Sequence, residues 1–331
     1  MNETGYPRPG GIRQIVVIGA GNMGEGIAQS FAQAGKSVKV LARKQETLDK
    51  CRQQIDTNLK LFAEFQLLEE APEVIKSRIT YIPMAELSEA IKACHFIVET
   101  IPEVLADKKE LFGRLDGCDP DVILASNTSS ITITTLTEDM RTAYRVVGTH
   151  YFNPAHIMPL VEIHRGKHTS DKVVETTKDL MLQVGKKPIL VKKEIPGFIV
   201  NRIQGAVFRE IGYLLDEGVA APEDIDMAAK AMYGFRLSCI GPMEADDMIG
   251  LDTSARVSRN LFRTLSNRTE PSETLLDKVN KGELGIKTGS GWYNYRGKTR
   301  TQVLDEINRR LLRQLVLFKA LNKSLIRRTS C

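Results

Sequence analysis

The sequence predicts an α/β fold, a Rossmann-like dinucleotide-binding domain followed by an all-helical domain. Three observations predict it. A glycine-rich turn joins an apolar strand to a helix near the start of the chain. Short apolar strands then alternate with helices as far as Lys192. After Pro196-Gly197 no convincing strand remains and helical spacing takes over.

The first element is an apolar run, Ile15 to Ile18, which ends at Gly19. Gly19, Gly21 and Gly24, with Asn22 and Met23 between them, spell G-x-G-x-x-G, and Ile27, Phe31 and Ala34 follow at helical spacing. Gly19 permits the tight turn, Gly21 lets backbone approach a pyrophosphate, and Gly24 lets the helix lie close to the strand. The helix start then offers unpaired N–H groups to phosphate. A second apolar run, Val38 to Leu41, closes a βαβ unit.

The residues after that run bear on the choice of dinucleotide. An acid there binds the ribose 2′-hydroxyl in NAD sites. This chain has Ala42, then Arg43 and Lys44. Nothing there repels a 2′-phosphate, and two cations are available to bind it. The expected cofactor is NADP, with NAD as the alternative; a solvated helix start is the other use of the two cations.

Further strands are expected at Ile79 to Ile82, Phe96 to Glu99, Val122 to Ser126, Val146 to His150, Leu160 to Ile163 and Ile189 to Lys192. The early ones are separated by helices, notably Gln45 to Phe65, and form a mostly parallel sheet; the last ones have shorter connections suited to antiparallel pairing. Helices are expected at Phe198 to Glu217, Pro222 to Tyr233, Met243 to Leu265 and Pro271 to Lys281. The expected division is a dinucleotide-binding domain over 1–194, a helical substrate and dimerisation domain over 195–297, and a basic amphipathic helix over 298–331.

The 331 residues suit two domains with a sizeable core. The net charge of +5 is concentrated at the end, where ten Lys or Arg lie beyond Tyr295 with only Asp305 and Glu306 as acids, so no general nucleic-acid footprint is expected. That segment carries an apolar stripe through Leu304, Ile307, Leu311, Leu315, Phe318, Leu321 and Leu325. It suits packing on its own body or a second subunit, or contact with an acidic partner. The apolar runs are too short to span a membrane, and MNETGYPRPGG lacks the apolar stretch of a secretory signal. The five cysteines are scattered without a C-x-x-C pair, which fits reduced thiols in a cytoplasmic protein, with Cys331 exposed. No Cys or His cluster has metal-ligand spacing, so no metal is expected.

Of the five histidines, His150 closes an apolar strand and leads into Tyr151-Phe152-Asn153-Pro154. Glu162 is a lone carboxylate on the next apolar strand, costly to bury without a partner. An imidazole is such a partner, and the pair makes a general base oriented by a carboxylate. His156 is the alternative base, and both histidines have structural uses. Ser126 to Ser130, Ser129 among them, form a polar loop at a strand end, suited to a substrate hydroxyl or to capping a helix. Asn201 is a polar residue early in an apolar helix at the domain junction, placed to point into a cleft.

Taken in order, GAGNMGEGIA, VETIPE with Lys108 soon after, ILASNTSS, GTHYFNPAHIMPLVEI, PGFIVNRI and IGPMEADDMIGLD resemble the 3-hydroxyacyl-CoA dehydrogenase family from about Ile12 to Tyr295. The resemblance implies that His150 is the catalytic histidine and Glu162 its partner. It implies that Ser129 and Asn201 hold the substrate oxygen, and that Glu103 and Lys108 lie near the nicotinamide ribose and ring. It also implies a homodimer formed through the helical domain and a reaction interconverting a 3-hydroxyacyl-CoA and its 3-oxoacyl-CoA. Three departures stand out. Ala42 replaces the family's NAD-selecting Asp. Phe62 to Glu70 is acidic where acyl-CoA members are lysine-rich, and Pro159 replaces a lysine. The segments Gly234-Phe235-Arg236 and Ile240-Gly241-Pro242 are similar to the branch acting on free hydroxy acids, which includes gulonate, carnitine and pyridine-carboxylate dehydrogenases. On that alternative Arg236 is the candidate carboxylate binder, or else a surface ion-pair partner.

Overall fold

The computed structural model describes residues 11–328, with side chains described as far as Leu321. The lead-in MNETGYPRPG, the Leu325 side chain and Cys331 lie outside the described residues.

Eight strands form one sheet: β1 (Gln14–Ile18), β2 (Ser37–Ala42), β3 (Ile79–Pro83), β4 (Phe96–Glu99), β5 (Ile123–Ser126), β6 (Val146–Tyr151), β7 (Leu160–Arg165) and β8 (Lys187–Val191). Their order is β3-β2-β1-β4-β5-β6-β7-β8. Every pairing is parallel except β6 with β7. The antiparallel pairing expected among the last strands is thus confined to β6–β7, and β8 returns parallel. The central strands are buried on both faces, which explains why they read as unbroken apolar runs rather than alternating ones.

Helices α1 (Asn22–Gln33), α2 (Gln45–Glu64), α3 (Pro72–Ser77), α4 (Leu87–Ala90), α5 (Leu105–Leu115), α6 (Ile133–Leu136) and α7 (Asp171–Gln183) connect the strands. Helix α2 buries Leu48, Cys51, Ile55, Leu59 and Phe62, a stripe at three- and four-residue intervals. Ser170 starts α7 by accepting a hydrogen bond from Val173 N.

The second set of helices comprises α8 (Val200–Asp216), α9 (Pro222–Ala228), a π-helical turn Ala229–Gly234, α10 (Phe235–Leu237), α11 (Pro242–Ile249), α12 (Leu251–Leu261) and α13 (Glu273–Asn280). The single helix expected over Met243 to Leu265 is broken at Gly250, whose φ of 97° lies in the left-handed region open to glycine. The last helix is α14 (Arg300–Arg328). The chain divides into two compact units: residues up to Ile199 together with those from Arg309 onward, and Val200–Asn308. Within the first unit, Leu312 and Leu315 of α14 pack with Leu61, Phe62 and Ile157. Leu304 and Leu321, expected on the same stripe, are exposed. No helix among the described residues is long and apolar enough to cross a membrane.

Candidate active site

Strands β1, β2, β4, β5 and β6 run parallel, so their carboxyl ends share one edge of the sheet. The strand order reverses beside β1, and ligands of such sheets bind at that switch point. The glycine turn lies there. Gly19 has φ of 114°, and a side chain on it would collide with Thr100. A Cβ on Gly24 would overlap the Gly19 carbonyl oxygen. Both glycines are therefore demanded by the protein's own packing. Gly21 is different: a Cβ there would meet no protein atom within 4 Å, so the backbone at Gly21 is open to the close approach of a ligand. No side chain caps the start of α1, which leaves the N–H groups of Asn22 and Met23 facing outward. The residues fit a pyrophosphate.

At the end of β2, Ala42 is buried while Arg43 and Lys44 are exposed. Neither cation is paired with an acid among the described residues. Both remain available to a phosphate.

The ends of β4 and β5 carry a charged network that sequence reasoning located only in part. Lys108 is fully buried, and its Nζ lies 2.7 Å from Glu99 Oε1 and 3.2 Å from Glu103 Oε2. Ser126 Oγ and Ile101 N–H donate to Glu99 at 2.6 Å and 2.7 Å. Burial pushes the Glu99 carboxyl above its ordinary value, opposed by Lys108. Glu103 accepts at one oxygen from Thr128 Oγ1 (2.6 Å), Ser129 N (2.8 Å) and Ser130 N (3.0 Å). Burial there disfavours charge, but these donors and Lys108 outweigh it and hold the carboxyl down at about 2. Glu103 thus organises the loop that bears Ser129, whose Oγ lies 3.4 Å from it. Glu99 was missed, although a glutamate closing the apolar strand Phe96-Ile97-Val98 is the same signal that drew attention to Glu162; Ser126, expected in the polar loop, is its hydrogen-bond partner.

His150 and Glu162 are opposite one another in the β6–β7 register. Residues opposite in an antiparallel pair present their side chains on the same face. His150 Nδ1 lies 2.7 Å from Glu162 Oε2, with Glu162 fully buried. A proton on Nδ1 satisfies this contact and leaves Nε2 with its lone pair. Asn127 Oδ1 accepts from Tyr151 N at 2.9 Å, which ties the strand end bearing His150 to the polar loop. The rings of Phe152 and Phe198 flank the imidazole, with centroids at 4.4 Å and 5.7 Å. Ile199 N–H donates to the other Glu162 oxygen at 3.0 Å.

The alternative base, His156, has a different setting. It packs against Phe62 and the backbone of Gly26, with no carboxylate bonded to it among the described residues. Burial, with the nearby charge of Lys186, pushes its imidazole down to about 3. His95 Nδ1 accepts from the backbone N–H groups of Arg13 and Gln14, a structural use. Asn201 is the second residue of α8 and is partly buried in the second unit. Arg236, in α10 of that unit, forms no ion pair among the described residues.

Comparison with known proteins agrees with this architecture. The NAD-binding domain of 3-hydroxyacyl-CoA dehydrogenase matches residues 14–195, and its C-terminal domain matches residues 197–295. The 5-formyl-3-hydroxy-2-methylpyridine 4-carboxylate 5-dehydrogenase of Mesorhizobium japonicum is 33% identical, over 86% of this chain and 91% of its own. A probable 3-hydroxybutyryl-CoA dehydrogenase of Bacillus subtilis is 36% identical, over 87% of this chain and 99% of its own. Among solved structures, a 5-formyl-3-hydroxy-2-methylpyridine 4-carboxylic acid 5-dehydrogenase described as an NAD⁺-dependent dismutase superposes with a TM-score of 0.84. It is 31% identical, with 94% of this chain and 99% of that chain covered. The (S)-3-hydroxybutyryl-CoA dehydrogenase of Ralstonia eutropha superposes with a TM-score of 0.68 at 36% identity, over 86% of this chain and 99% of that one. The chain belongs to the 3-hydroxyacyl-CoA dehydrogenase family, oxidoreductases that use a nicotinamide dinucleotide and act on CH–OH groups.

Proposed function

We propose that this protein interconverts a secondary alcohol and its ketone, with His150 as the general base. The observation that carries the reading is the buried 2.7 Å contact between His150 Nδ1 and Glu162 at the cofactor edge of the sheet. In the oxidative direction His150 Nε2 takes the hydroxyl proton. Glu162 holds the imidazole in the required tautomer and stabilises the imidazolium that forms. Ser129 and Asn201 are the candidates to donate hydrogen bonds to the substrate oxygen, which carries developing negative charge. The bound nicotinamide supplies the hydride chemistry, and the protein supplies its orientation. Gly19, Gly21, Asn22, Met23 and Gly24 cradle its pyrophosphate, and Glu103 and Lys108 shape the wall near its nicotinamide end. Arg43 and Lys44, unpaired beside a buried Ala42, favour NADP.

The substrate is a hydroxy acid or its thioester, and one feature favours the free acid. Glu64, the last residue of α2, pairs with Arg309, and Glu70, in the segment that follows, pairs with Arg78, both at 2.6 Å. Both of these guanidinium groups are engaged by acids, and Glu69 adds a further negative charge, so neither is free for the phosphates of coenzyme A. Arg236 is then the candidate partner of the substrate carboxylate. We place the reaction in the cytoplasm and in a homodimer formed through the helical unit. The test is oxidation of NADH and NADPH by the purified protein with acetoacetyl-CoA against a panel of free 3-oxo acids. Turnover of free acids with no response to coenzyme A as inhibitor is expected. Turnover confined to the thioester returns the assignment to the 3-hydroxyacyl-CoA substrate.

A further inference from the structure

One buried titratable group stands beside the dyad and has no place in the mechanism above. His164, on β7, is fully buried, and neither of its ring nitrogens has a hydrogen-bond partner. An imidazole in that condition forfeits its hydration on both edges. Its use is as a flat surface. The ring stacks on Phe198, with centroids 4.0 Å apart and planes at 28°. On its other side lies Gly148, its register partner on β6, where a Cβ would overlap the imidazole. The slot between Gly148 and Phe198 therefore admits a planar ring and no branched aliphatic side chain. Burial, with the charge of His150 adding to it, pushes the His164 imidazole down to about 3, so it stays uncharged and takes no part in proton transfer.

Phe198 is the reason this slot matters. It is fully buried and has φ of 49°, a left-handed conformation that non-glycine residues rarely adopt. Strained backbone of this kind persists only where its surroundings hold it. The turn that Phe198 completes points the next N–H, that of Ile199, at Glu162 Oε1 at 3.0 Å, while the other carboxylate oxygen holds His150. We infer that His164 is a positioning residue: by clamping the Phe198 ring it holds the left-handed turn that presents Ile199 N–H to Glu162, and so aims the carboxylate that orients His150. The chain of contacts runs Gly148, His164, Phe198, Ile199 N–H, Glu162, His150. The inference rests on the assignment of His150 and Glu162 as the proton-transfer pair.

The test uses the full chain with His164→Ala, Gly148→Ala, the double variant and His164→Phe. Each is measured for cofactor affinity, kcat, KM and the pH dependence of kcat/KM in the oxidative direction. His164→Ala is expected to lower kcat by roughly ten- to a hundredfold, the range a misplacement of about 1 Å produces. Dinucleotide affinity should stay within about twofold, because the cofactor turn is built from β1 and α1. The acid limb of the pH profile should move to lower pH, since a misaimed carboxylate stabilises the imidazolium less. Gly148→Ala, which drives a methyl group into the ring, should give the same change, and the double variant should be less impaired than the sum of the singles. His164→Phe keeps a flat ring and should leave the limb where it is in the parent, which carries the test if the alanine variant does not fold. An unmoved acid limb and near-normal kcat in His164→Ala, or a displaced limb in His164→Phe, overturns the inference. Glu162→Gln separates it from its premise: if that variant leaves the limb unmoved, the assignment of the pair itself has failed.

Discussion

The two units of this chain bury themselves very differently. The first closes around its sheet: two apolar clusters cover its faces, and strands β4, β5 and β6 are buried along their whole length. In helices α8 to α13 the only buried residues are Gly212 and Ala245. Large apolar side chains stand in the open there, among them Phe235 at 73% exposure, Met243 at 69% and Phe262 at 67%. Exposed apolar patches mark interaction surfaces in soluble proteins. The difference teaches how the labour is divided. The closed unit carries polar groups whose partners are already in place, whereas the open unit leaves apolar side chains exposed, and we propose that a second copy of the chain covers them.

The largest effect that sharpens this comparison belongs to the closed unit. His150→Gln should cut turnover by roughly 10²- to 10⁴-fold, the range of positioned proton transfer. Cofactor affinity, read by fluorescence titration, should change little. Turnover near that of the parent would remove His150 from the mechanism, and His156 has no carboxylate with which to replace it. The next effect tests the open unit. Phe262→Asp places a charge on the exposed face of the helical unit and should weaken association by roughly thirtyfold or more if this residue anchors the interface. Sedimentation velocity reads it directly. A parent protein that sediments at 36.9 kDa at every concentration would show that no second copy covers this face. The smallest effect concerns cofactor choice. Replacing Arg43 and Lys44 by uncharged residues should weaken NADPH by roughly tenfold or more, as the loss of one charge-assisted bond implies. NADH binding should be unaffected. Equal losses for both cofactors would assign the pair to a solvated helix start.

The sequence made the closed unit legible and the open one much less so. The glycine turn, the apolar strands and the helix over Gln45 to Phe65 are local signals, each read from the pattern of neighbouring residues. The pairing of His150 with Glu162 was left open by spacing alone, because the register of β6 on β7 is a tertiary fact; the family resemblance pointed to it. Lys108 and Glu103 were picked out, but the buried partner that joins them, Glu99, was not, since its significance lies in the strand end it shares with Ser126. The break at Gly250 was missed because apolar residues continue at helical spacing across it. His164 reads as an ordinary strand residue until Gly148 is seen opposite and Phe198 is found stacked on it. Left-handed backbone at a phenylalanine has no signature in composition or periodicity.

The central claim is that a carboxylate-oriented histidine in the closed unit performs the proton transfer. The most direct measurement is the pH dependence of kcat/KM for the parent and for Glu162→Gln, in the oxidative direction and with saturating cofactor. The change keeps the shape of the side chain and removes the charge that favours the imidazolium. The account predicts a lower plateau together with an acid limb displaced toward lower pH. A variant with the parent's plateau and an unmoved limb would contradict it, because the 2.7 Å contact between His150 and Glu162 would then have no part in the reaction.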